Sequence, residues 1–125
     1  MDNNSQTIDF TNLYSVANND EEFIKELIEI FLAQIPAFIK NMNQLFLDNN
    51  LEKLGREAHT AKSSVMVFGM INTGKLLNQI EIWAENKNLD EIEPALKIVE
   101  RDLELAKNEL NEALKAEKFK IQNND

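Results

Sequence analysis

Apolar residues recur along this chain at spacings of three and four, the period of a helix buried on one face. Phe10, Leu13 and Val16 or Ala17 fit a short amphipathic helix, expected as a lid. Phe23, Leu27, Phe31, Ile35, Phe38, Met42 and Leu45 make a longer stripe. Pro36 lacks the N–H that would bond the Leu32 carbonyl, yet the stripe resumes in phase beyond it, which predicts a kink rather than a stop. Leu51, Leu54, Ala58, Ala61, Val65 and Phe68 mark the next buried face, and Leu76, Leu77, Ile80, Trp83 and Ala84 the one after, with Trp83 expected in the core. The last stripe, Ile92, Leu96, Val99, Leu103, Ala106, Leu110 and Ala113, alternates steps of four and three throughout, with Pro94 placed in the first turn of its helix.

Polar punctuation divides these stripes. Asn19 followed by Glu22 reads as a capping box, and Asn49 with Glu52 repeats it after the turn Asp48-Asn49-Asn50. Gly69 suits a helix C-terminus, Asn72 or Thr73 can open the following helix, and Asn86 to Asn88 closes it before the last one begins after Asp90. Long helices joined by short turns must run alternately up and down. The fold class predicted is all-α, an antiparallel up-and-down four-helix bundle with a short extra N-terminal helix. The turn signals weigh against one extended coiled coil, and the apolar run Val65 to Ile71 stands alone among helical patterns, which weighs against a strand. One domain is expected over residues 8–117, between flexible tails at 1–7 and 118–125.

The chain of 125 residues is 43% hydrophobic, enough at this length to bury roughly two-thirds of the unfolded chain's surface without a metal or disulfide. Its 22 Asp and Glu against 13 Lys and Arg leave a net charge of −9, which opposes the phosphate backbone of nucleic acids and an anionic membrane. The absence of cysteine excludes disulfides, thiolate zinc sites and Cys nucleophiles, and a single histidine excludes His-rich metal clusters within one copy. There is no basic-then-apolar leader and no run of about 18 apolar residues, so a cytoplasmic monomer without membrane or nucleic-acid partners is expected.

That histidine, His59, is the residue with most chemical interest. At about 100° per residue it points roughly 130° away from the buried face of its helix, and so toward solvent. Residues three and four apart share a helix surface, so its neighbours are Gly55 one turn before, Lys62 and Ser63 one turn after, and Met66 two turns on. Small side chains leave the imidazole unscreened. A cation one turn away suits an anionic group carried on the ring, and Met66 offers a dry contact to a partner. Against this stands the plainer view that exposed histidines and solvated lysines are commonplace.

The run Ala58-His59-Thr60-Ala61-Lys62-Ser63-Ser64, continuing to Phe68-Gly69, resembles the histidine-containing phosphotransfer (HPt) domains of bacterial multistep phosphorelays. Their motif is a histidine, a lysine three residues on, small residues next and a glycine ten residues after the histidine. Asp20-Glu21-Glu22-Phe23-Ile24 to Phe31-Leu32, before Pro36, is similar to the family's preceding helix, so the resemblance spans about residues 8–115. It implies that His59 is the phosphoacceptor, that Lys62 stands beside the phosphoryl group, that Ser63 is the small residue admitting the partner, and that Glu81, on the facing helix, pairs with His59 or Lys62. Gly55 and Met66 are then the docking residues. Two departures are Ser63, often glycine in the family, and Ala61, often a larger aliphatic residue; neither removes a group the transfer needs.

The reaction implied is attack by the neutral His59 ring on a receiver-domain phospho-aspartate, and later passage of the phosphoryl group to a second receiver. Alignment and cations supply most of such catalysis, with Mg on the receiver and no cofactor on this chain. The partners implied are response-regulator receiver domains and hybrid histidine kinases. Gly55, Gly69 and Gly74 are too scattered to cradle ATP phosphates, so a phosphoryl carrier without kinase activity is expected. The alternative from another class is a non-catalytic helical adaptor binding through Met66, Val67 and nearby surface. A hydrolase ranks third, because the carboxylates show no convergent motif.

Overall fold

The computed structural model describes residues 7–116. Five helices follow one another: α1 Phe10–Val16, α2 Glu21–Leu47, α3 Leu51–Val67, α4 Ile71–Glu85 and α5 Leu89–Ala116. Each of α2 to α5 packs on the helix before or after it, and α2 closes the ring on α5, which is the neighbour pattern of an up-and-down bundle; α1 lies against α3. Among the described residues there is no strand. The tails expected at 1–7 and 118–125 fall outside the described residues, apart from Thr7.

The predicted face of α3 is buried from Leu54 onward, with Leu51 half-buried at its start, and that of α5 is buried throughout, where strict four-three spacing left one choice. In α2 the first two turns are rotated by one residue: Ile24 and Ile28 are fully buried, whereas Phe23 is 41% exposed and Leu27 half-buried. Either pair continues the Phe31–Ile35 stripe at helical spacing, but one residue is about 100° of rotation, and the isoleucine pair lies nearer the centre of the face made by Phe31, Ile35, Phe38 and Met42. Phe31 stacks on Phe68 with ring centroids 4.5 Å apart, joining α2 to the end of α3. Trp83 and Leu76 are half-buried at the core's edge. The α2 helix runs on through Pro36, on its exposed side, and Pro94 lies in the second turn of α5.

The turns are where sequence expectation and structure differ. In place of the two predicted caps, α2 is capped by Asp20, accepting from the Phe23 N–H, and α3 by Asn50, accepting from the Lys53 N–H. Asn19 and Asn49 instead hold positive φ, 59° and 57°, and a cap residue needs an extended backbone. Helix α4 opens at Ile71 rather than at Asn72 or Thr73; Thr73 is buried, with its hydroxyl donating to Asp102 Oδ2 on α5 at 2.9 Å.

Three connections share one design. The residues Asp48-Asn49-Asn50, Phe68-Gly69-Met70 and Asn86-Lys87-Asn88 each place a left-handed residue between two helices. Its N–H and that of the next residue return to the last turn: Gly69 to Met66 O and Met70 to Val65 O, both at 3.0 Å. This is the Schellman arrangement, which satisfies helix-end carbonyls. The residue that completes it also stands at the N-terminus of the next helix, so no residue is spare. The N-terminal segment braces the α3–α4 turn further: Asp9 N–H donates to Phe68 O, and the Asn12 amide donates to Met66 O and Val67 O. Glu109 on α5 anchors this segment by accepting from the Thr7 and Ile8 N–H groups at 2.6 and 2.8 Å.

Two glycine substitutions should act in opposite directions on stability. At Gly69 φ is +70°, and an added Cβ would strike the Cβ of Asp9, so Gly69→Ala is expected to cost at least about 1–2 kcal/mol, read from urea unfolding. Gly55 lies inside α3, where a Cβ would meet Ala84 Cβ at an ordinary 3.7 Å, so Gly55→Ala should stabilise by up to about 1 kcal/mol on the same measurement.

Candidate functional site

Helices α3 and α4 pack more extensively than any other pair, and small residues let them do so. The facing positions are Gly55 with Ala84, His59 with Glu81, Lys62 with Asn78, and Met66 with Gly74. As the position advances along α3 it retreats equally along α4, which is the register of two antiparallel helices. Ala58 and Ala61 are fully buried beneath this seam. His59 rises on its outer edge, with 60% of its side chain exposed.

The imidazole is held at one nitrogen. Nδ1 lies 3.1 Å from Glu81 Oε2 and 3.3 Å from Oε1. A carboxylate can only accept, so in the neutral ring Nδ1 carries the proton and the lone pair stands on Nε2. Among the described residues Nε2 has no hydrogen-bond partner, and it is the nitrogen left to act as a nucleophile. Glu81, which the resemblance pairs with His59 or Lys62, contacts both, with Lys62 Nζ 3.5 Å from Oε1.

The Lys62 ammonium does not stand free over the ring. It donates to Asn78 Oδ1 at 3.0 Å, and only 26% of its side chain is exposed. Ser63 is exposed, with its hydroxyl bonded back to the His59 carbonyl at 3.4 Å, so it leaves space beside the imidazole rather than a hydroxyl pointing at it. Met66 is 39% exposed and drapes over Gly74, where a Cβ would collide with its sulfur. Gly55 is half-buried on the other side of His59.

His59 thus stands at the head of two open hollows along the α3–α4 seam. One, of about 680 Å³, is floored by Gly55 and Ala84 and edged by Leu51, Arg56 and Lys87; His59 itself lines it. The other, of about 750 Å³, runs from Lys62 and Ser63 past Met66 and Gly74 to Ile71 and Lys75. Its lining has two lysines and no carboxylate, on a chain whose net charge is −9. Among the described residues no group of three or more His, Asp or Glu side chains could hold a metal ion, and no helix is long and apolar enough to cross a membrane.

Asn78 and Gly74 were not singled out from sequence. Their parts are played across the seam, and the only signal was their position three and seven residues before Glu81 on the same helix face.

The family model described as "Hpt domain" matches residues 26–117, which takes in α3, α4, α5 and most of α2. The phosphorelay intermediate protein YPD1 of Candida albicans is 25% identical over 81 residues, 65% of this chain and 44% of that protein, so the chain spans less than half the length of that relative. No solved structure matches the chain significantly. The family match covers most of the sequence and takes in the exposed His59 on the bundle's most closely packed seam, so the chain belongs to the Hpt domain family.

Proposed function

We propose that the chain is a phosphocarrier of a multistep phosphorelay, taking a phosphoryl group onto His59 from a receiver-domain phospho-aspartate and passing it to another receiver. The observation that carries this reading is the Nδ1–Glu81 contact on a ring that is otherwise open, because in the neutral ring it places the proton on Nδ1 and the lone pair on Nε2. The relative is fungal, so the reading rests on histidine–aspartate relay chemistry rather than on a bacterial source.

In the forward step the Nε2 lone pair forms a bond to phosphorus as the bond from phosphorus to the aspartyl oxygen breaks. The electron pair of that bond leaves with the receiver's carboxylate. Positive charge develops on the ring, whose proton stays on Nδ1, and the Glu81 carboxylate lies against it. The return step reverses these bond changes with a second receiver's carboxylate as the nucleophile. Little covalent assistance is needed in such a transfer, so alignment and cations dominate. Lys62 supplies one positive charge from this chain, and the divalent cation belongs to the receiver. Hybrid histidine kinases are partners through their receiver domains. ATP has no part in the proposal, since Gly55, Gly69 and Gly74 lie in two helices and a turn and form no phosphate-binding loop.

The two hollows beside His59 suit side chains of a visiting protein, and a carrier that acts as a monomer presents both. Gly55 and Met66 would contact the receiver, with Ser63 keeping the approach clear.

Incubation with a receiver domain carrying radiolabelled phosphate from acetyl phosphate should give acid-labile, alkali-stable label on this chain. His59→Gln should abolish it; retained label would exclude the acceptor and favour the adaptor reading. Lys62→Ala should slow single-turnover transfer by about tenfold, equivalent to roughly 1.4 kcal/mol of transition-state stabilisation. Glu81→Ala should slow it similarly by freeing the ring's tautomer, while circular dichroism shows both variants folded.

A further inference from the structure

We propose that Asn78 is a positioning residue for Lys62, holding its ammonium off Glu81 so that the carboxylate stays committed to the His59 ring. This rests on the phosphocarrier reading. Asn78 and Glu81 are three residues apart on α4 and face the same way, as His59 and Lys62 do on α3. Four side chains therefore meet across the seam in the order Asn78, Lys62, Glu81, His59.

The distances run against charge alone. An ammonium beside a carboxylate closes to about 2.7–2.9 Å when nothing else holds it. Here Lys62 Nζ is 3.0 Å from the neutral amide oxygen of Asn78 and 3.5 Å from Glu81 Oε1. The amide has taken the closer place. Glu81 is correspondingly nearer to His59, at 3.1 Å through Oε2 and 3.3 Å through Oε1. The Asn78 orientation follows from chemistry, since only its oxygen can accept from an ammonium.

Two consequences follow for the transfer. Without the Asn78 oxygen, Lys62 would close on Glu81 and compete with Nδ1 for the carboxylate that sets the ring's tautomer. The ammonium carries three protons, so the bond to Asn78 and the long 3.5 Å contact to Glu81 Oε1 together leave a donor for the phosphoryl oxygens. Asn78 touches neither the ring nor the phosphoryl group. It acts through Lys62.

The test is a double-mutant cycle on the full chain, comparing wild type, Asn78→Ala, Lys62→Ala and the double variant. Single-turnover uptake is measured from a receiver domain loaded by acetyl phosphate, over a range of receiver concentrations. Asn78 is exposed, so thermal unfolding should be little changed. Asn78→Ala should lower the maximal rate by about threefold to tenfold at unchanged half-saturating receiver, and should cause no further loss once Lys62 is alanine. A wild-type rate in Asn78→Ala would overturn the proposal. So would an effect confined to the half-saturating concentration, which is the mark of a docking contact, or an equal loss in the Lys62→Ala background. If wild type itself takes no label, the phosphocarrier reading fails and this proposal with it; if wild type is labelled normally, those three outcomes count against Asn78 alone.

Discussion

The close approach of α3 to α4 is the constraint on which the site depends. A histidine on a convex helix surface can hold its proton on either nitrogen, and nothing on its own helix favours one. The preference comes from Glu81, and Glu81 reaches the ring because the two helices pack over Gly55, Ala58, Ala61 and Ala84. Residues larger than alanine at those positions would push α4 outward and free the ring before they exposed the core. The motif's small residues thus act on the ring indirectly, through the spacing of the backbones.

The same seam is fixed at its end by the turn at Gly69. Its left-handed backbone aligns the start of α4 with the end of α3, and its missing side chain admits Asp9, from which the N-terminal segment runs on to place Asn12 over the last α3 carbonyls. A glycine ten residues from the histidine is therefore part of the geometry that brings Glu81 opposite His59. Thr73 and Asp102 tie the other side of α4 to α5, so the helix carrying Glu81 is held on two faces.

Much of this was legible in the sequence, and the failures have physical causes. The strict spacing of α5 admits one buried face, as does that of α3; α2 begins with two apolar pairs, Phe23 with Leu27 and Ile24 with Ile28, and only packing decides between them. Asparagine favours both helix caps and left-handed backbone, so Asn19 and Asn49 were read as caps when each holds the turn one residue earlier. The left-handed Lys87 gave no signal, because its conformation is imposed by the helices around it. The outward direction of His59 followed from rotation alone. The link from Asn78 through Lys62 to Glu81 did not, since it requires the register of one helix against another, which no single helix encodes.

Each of the three connections among α2, α3, α4 and α5 uses one residue both to finish a helix and to start the next. Such joints have no slack to take up, and they join the helices that carry His59 and Glu81. A phosphocarrier, as proposed, must release each partner as readily as it receives it. With little chain to order on contact, association need not be strengthened to offset that ordering, and brief encounters can suffice for exchange.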